Sequence, residues 1–165
     1  MADAQFEDII RLDMPVGLFS SNWSNCDRIA TYVARMASIG RQDPPRFSNL
    51  FSSVLNELLE IVFCYRAPDG AVTFAVQRHG AVDRIALSVP CDPSAVAFYA
   101  DARDSLQSGN SAALMDKALV SEGALDRRLG FWELAVEYDA EIAIKTVDGA
   151  AIHLIVDLKL ESVAP

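Results

Sequence analysis

The chain has 165 residues, 52% of them hydrophobic, which supplies one full core and argues against a disordered chain. Its 14 Lys and Arg stand against 23 Asp and Glu, a net charge of −9. That balance disfavours broad binding to nucleic acid or to anionic membranes, because both reward clustered Lys and Arg.

The N-terminus, Met1 to Asp8, is acidic, and no basic stretch precedes an apolar one, so no secretion signal is expected. No segment reads as both apolar and long enough to span a bilayer, which takes roughly 20 residues. Cys26, Cys64 and Cys91 are odd in number and widely spaced, with no Cys-x-x-Cys pair and both histidines, His79 and His153, far off in sequence. Reduced cytoplasmic thiols are the expectation, and zinc is not.

Phe6 to Leu18 reads as a short helix or strand, interrupted at Pro15. Residues 1–22 are treated as a candidate extension of a single domain covering 1–165. Ser24 to Ser38 reads as a helix with Ser24 as N-cap, its face carrying Ile29, Tyr32, Val33 and Met36, and Gly40 as its stop. The strongest element runs from about Arg46 to Tyr65. Phe51, Val54, Leu55, Leu58 and Val62 form its apolar stripe, Asn56 and Glu60 lie on the far side, and Glu57 and Ile61 sit one turn apart on a flank. Phe63 falls on the otherwise polar back.

After Ala67-Pro68-Asp69-Gly70 the period changes to two. Val72, Phe74 and Val76 mark a half-buried strand, and Arg84 to Val89 a second. Helices follow at about Ser94 to Leu106, Ser111 to Leu119 and Gly123 to Tyr138. Asp101 and Asp104 read as surface charges. The tail is the clearest β signal: Glu141 to Val147 and Ala151 to Leu160 flank Asp148-Gly149, a pair suited to a turn whose two positions want positive φ. His153 alternates with apolar neighbours and should face solvent. This order predicts an α+β domain, a two-layer sandwich with helices on one face of a mainly antiparallel mixed sheet.

The stretch Asn56-Glu57-Leu58-Leu59-Glu60 resembles the first motif of the histidine-kinase-like (Bergerat) ATPase fold, shared by gyrase, mismatch-repair ATPases, sensor histidine kinases and anti-sigma-factor serine kinases. The likeness is greatest to small bacterial single-domain regulators of that fold, and runs loosely from Val16 to Leu160. The resemblance implies that Glu57 lies beside a metal and its waters, and that an Asn one turn later holds the Mg²⁺ bridging the phosphates of ATP. Here that position is Ile61, which has no oxygen for a cation that demands oxygen ligands.

The other motifs depart as well. The family reads adenine with an Asp in an Asp-x-Gly-x-Gly segment. The corresponding place here is Pro90-Cys91-Asp92-Pro93-Ser94, where Asp92 reads first as a turn or cap residue. The family's phosphate turn is glycine-rich because the backbone must approach the anion closely. The matching stretch, Asp126-Arg127-Arg128-Leu129-Gly130-Phe131, has one glycine. Residues that would hold a retained nucleotide are therefore Asn56, Glu57, Asp92 and Gly130, with no metal ligand among them. Other enzyme signatures are absent: no Gly-x-Ser-x-Gly elbow, His-Glu-x-x-His, Walker loop or dinucleotide fingerprint.

Three readings follow. In the first, the chain is a non-catalytic bacterial signalling regulator with a degenerate ATP-binding fold and no cofactor. It acts by binding protein, such as an anti-sigma antagonist, a response regulator or a sigma factor. In the second, it is a divergent ATP- and Mg²⁺-dependent serine kinase of the anti-sigma type, with Glu57 as the catalytic acid or base. In the third, it is an unrelated soluble α+β homodimer or small-molecule sensor.

Overall fold

The computed structural model describes residues 5–162. Chain order is β1 (Glu7–Pro15), α1 (Val16–Phe19), α2 (Ser24–Ala37), α3 (Pro44–Cys64), β2 (Ala71–His79), β3 (Val82–Pro90), α4 (Pro93–Gln107), α5 (Ser111–Val120), α6 (Leu129–Glu137), β4 (Glu141–Val147) and β5 (Ala151–Leu158). The five strands form one sheet in the order β1-β2-β3-β5-β4, with every pairing antiparallel. The fold is the α+β sandwich expected from the element order. The stretch 6–18, ambiguous in sequence, is the edge strand β1 followed by one helical turn, because the fixed φ of Pro15 ends the strand.

Alternation decides which strand residues enter the core. Val72, Phe74 and Val76, Ile85, Leu87 and Val89, and Ile152, Leu154 and Val156 are all buried on the helix side. Against them lies the stripe of α3, in which Phe51, Val54, Leu55, Leu58 and Val62 are fully buried. Asp43 caps α3, accepting a hydrogen bond from the Arg46 amide at 3.2 Å, and Pro44 and Pro45 occupy the first turn, where no amide partner is lost. With 21 residues, α3 is apolar and long enough to cross a membrane by length and composition, contrary to the sequence expectation. Its apolar stripe is instead the centre of this core.

Three expectations about the helices need correction. Of the face assigned to α2, only Val33 is buried; Tyr32 and Met36 are exposed, and the helix packs through Cys26, Ala30, Val33, Ala34 and Ala37 instead. Small residues let α2 lie close on α3, which turns the bulky ones outward. Nor does Ser24 cap α2: the cap position is Trp23, and the Ser24 amide is met by Asn22 Oδ1 at 2.9 Å. The last helix is also shorter than expected. Residues 121–128 are irregular, and α6 starts at Leu129. The tail hairpin forms as read, with φ of 50° at Asp148 and 66° at Gly149.

Candidate functional site

The flank of α3 carrying Glu57 and Ile61 faces α6. Gly130, at the start of α6, is buried there so tightly that a Cβ on it would lie 2.3 Å from Glu57 Oε1 and 2.9 Å from Ile61 Cδ1. A Cβ here would make the ends of the Glu57 and Ile61 side chains shift, so close approach, not backbone angle, favours glycine at this spot. The fold thus sets Gly130 against Glu57 and Ile61, joining two motifs that are separate in the sequence. Ile61 is 1% exposed. Asn56 and Glu60 sit on another side of the helix, where Asn56 Nδ2 donates to Glu60 Oε1 at 2.9 Å. The Asn56 Oδ1 atom is buried and has no hydrogen-bond partner among the described residues.

Glu57 is half-buried, and loss of water raises its pKa; the nearby charges of Glu133 and Glu60 push the same way, and Arg127 opposes them. Tyr138, at the end of α6, belongs to the same acidic neighbourhood: burial first, then Glu133 and Glu137, raise its phenol. Glu133 and Tyr138 were not singled out in the sequence, and no signal there ties them to Glu57.

The arginines that precede α6 are both engaged. Arg128 binds Asp126 at 2.7 Å and lies over the ring of Trp132, and its hydrogen bond holds the Asp126 carboxyl below the usual range. Arg127 lies 5.5 Å from the centre of the Trp23 ring, which packs edge to face on Phe63 with ring centres 4.7 Å apart. Phe63, the stray aromatic on the back of α3, is therefore covered by Phe19 and Trp23 from the α1–α2 segment.

Asp92 is the N-cap of α4, accepting from the Ala95 amide at 2.8 Å. Pro93 starts the helix at once, so a helix occupies the place where the resemblance puts a glycine segment. That helix carries an aromatic cluster into the gap between α3 and α6. Phe98 stacks on Tyr65 with ring centres 3.6 Å apart, and Tyr99, fully buried, donates to the Tyr65 carbonyl at 2.9 Å. Phe131 of α6 completes the cluster. The thiols are free, and burial first of all pushes Cys26 up to about 12 and Cys91 up to about 11, which makes both poor nucleophiles at neutral pH. His153 is exposed on the outer face of the sheet. Among the described residues no group of His, Cys, Asp and Glu is arranged to hold a metal.

No protein-family model matches the chain, and no curated protein matches it. Among solved structures, its fold is similar to that of a chain in the crystal structure of the SiaB–SiaC complex from Pseudomonas aeruginosa. The match has 13% sequence identity and a TM-score of 0.58, and covers 92% of this chain and 89% of that one. At this identity the likeness is one of fold.

Proposed function

We propose that this protein is a non-catalytic bacterial signalling regulator that acts by binding another protein, on an ATP-binding type of fold that no longer takes nucleotide. The observation that carries the reading is the packing of Gly130 on Glu57 and Ile61. Mg²⁺ needs oxygen ligands in near-octahedral array, and the flank of α3 offers it a buried isoleucine pressed against a helix backbone. The Tyr65–Phe98 stack and the capping role of Asp92 weigh the same way, because they use for packing the elements that would meet adenine. The residues present do not fit Mg²⁺–ATP, and no phosphoryl-transfer step is derived for them.

A binding role is supported by apolar surface left uncovered. Helix α5 buries no residue fully, and Leu119, Val120, Leu125 and Val136 are exposed on α5, the loop after it and α6. The neighbour of similar fold was solved as a complex of two proteins, which agrees with a protein partner here. The partner classes that fit the reading are an anti-sigma antagonist, a response regulator or a sigma factor.

Calorimetric titration with ATP and Mg²⁺ tests the nucleotide half directly. No binding heat is expected. Micromolar, metal-dependent binding would overturn the proposal in favour of the divergent kinase, for which Glu57→Ala should abolish phosphoryl transfer.

A further inference from the structure

The helices cover one face of the sheet. The other face is a grid whose rows follow from strand register. The middle row runs Arg11, Ala75, Ala86, Ile155, Ala143 across β1, β2, β3, β5 and β4. One flanking row is Asp13, Thr73, Ser88, His153, Lys145, and the other is Asp8, Gln77, Arg84, Asp157, Glu141. The middle row is thus a shallow apolar lane, and the depression over Thr73, Ala75, Ala86, Ser88 and Ile155 has a volume of about 160 Å³. The outer strands carry the free charge: Arg11, Asp13, Glu141 and Lys145 are all exposed.

We infer that this face binds the same face of a second copy, with the two-fold axis parallel to the strands and passing over β3. That operation lays β1 over β4 of the second copy and keeps each row on itself. Asp13 then meets Lys145 of the second copy, and the symmetry makes the pair twice. Arg11 falls beside Ala143 and within reach of Glu141 of the second copy, which offsets the approach of Asp8 to that same Glu141. In the lane, Ile155 stands over Ala75 of the second copy, large on small, and Ala86 meets its own twin at the axis. Arg84, near the axis, is already neutralised by Asp157 at 2.7 Å and covered by the ring of Phe6.

The other face-to-face arrangement, with the axis across the strands, joins Lys145 to Glu141. However, it sets Arg11 on Arg11, Asp13 on Asp8, and Ile155 on Ile155 with Ala75 on Ala75, a clash beside a gap. Charge and shape therefore both choose the first operator.

The size is adequate. Five strands about 4.8 Å apart and seven residues long at about 3.3 Å each give a face of about 24 by 23 Å, roughly 550 Å² a copy and about 1,100 Å² for the pair. Specific interfaces start near 1,000 Å² in total, so the dimer should be reversible and concentration-dependent. The inference does not depend on the nucleotide or the signalling partner.

Sedimentation velocity on the full chain, over a range of concentrations, tests it with Asp13→Lys, Lys145→Asp and the double exchange. Both positions are exposed, and thermal melts check that each of the three variants folds. The parent should dimerise. Each single reversal creates two like-charge contacts and should raise the dissociation constant about tenfold or more. The double exchange should restore the parent value. A parent that stays monomeric at its highest soluble concentration would overturn the inference, as would a dimer that neither single reversal weakens.

Discussion

Asp83 and Glu57 are two carboxylates held out of bulk water in opposite company. Asp83, at the start of β3, is fully buried between Arg41 at 2.5 Å and Arg78 at 2.8 Å, and Arg41 reaches on to Glu161 at 3.5 Å. Both arginines also lie over the ring of Phe47, and Arg78 Nη2 donates to the Ala37 carbonyl at the end of α2. Every charge there has a partner, and the cluster fastens the β2–β3 hairpin to the end of α2 and to the C-terminal turn. Glu57 has Glu133 and Glu60 near it and only Arg127 to offset them. The surroundings of Glu57 therefore oppose its charge, whereas two arginines compensate that of Asp83.

The comparison is broken most severely by removing Asp83. Asp83→Ala leaves two nearly buried guanidinium groups without their counter-ion, and should cost about 3–5 kcal/mol in denaturant unfolding. A loss below that of an ordinary surface substitution would mean the cluster is ornamental.

A smaller effect is expected at Gly130. Gly130→Ala should gain up to about 1 kcal/mol of helix propensity and lose about 1–3 kcal/mol to crowding against Glu57 and Ile61, for a net loss. The double variant Glu57→Ala/Gly130→Ala removes the carboxylate in the way and should recover most of that loss in a double-mutant cycle. Additive effects would show that the two residues do not touch.

The smallest effect sharpens the contrast through pH. The folded state holds the Glu57 proton more tightly than the unfolded chain does, since its pKa lies above the ordinary 4.5. Ionising Glu57 therefore opposes folding. The penalty is absent well below the ordinary value, grows as pH rises toward the raised one, and is complete above it. Glu57→Gln should melt higher than the parent at neutral and alkaline pH, with the difference shrinking as pH falls from the raised value toward 4.5 and gone well below it. Equal melting temperatures across that range would contradict the assignment.

How much of this was legible in the sequence depends on the range of the forces involved. The stripe of α3, the Asp148-Gly149 turn and the cap at Asp92 are local, so periodicity and turn chemistry reveal them. The buried face of α2 departs from its periodicity because packing against α3 selects small residues over large ones, which no one-helix pattern records. The Asp83 cluster leaves a trace in the strand alternation. Asp83 is in phase with Ile85, Leu87 and Val89, and Arg78 with Val72, Phe74 and Val76, so alternation alone puts an acid and a base on the core side of one hairpin. A strand read from Arg84 leaves Asp83 outside that alternation. The resemblance sets Glu57 and Gly130 around one site, but their direct packing leaves no local trace, because nothing local relates two helices so far apart in the chain.

The order of the sheet has a consequence in time. Two of its four pairings, β2 with β3 and β4 with β5, are hairpins that form between neighbours. The seam between β3 and β5 joins Asp83 to Leu158 and Pro90 to Ala151, and until β5 exists β3 has an open edge. A chain being made from its N-terminus therefore holds α2, α3 and the first hairpin waiting, with one row of backbone amides unpaired, until its last strand emerges. Closure of that seam is the step expected to set the folding rate, since distant pairings cost the most entropy to bring together.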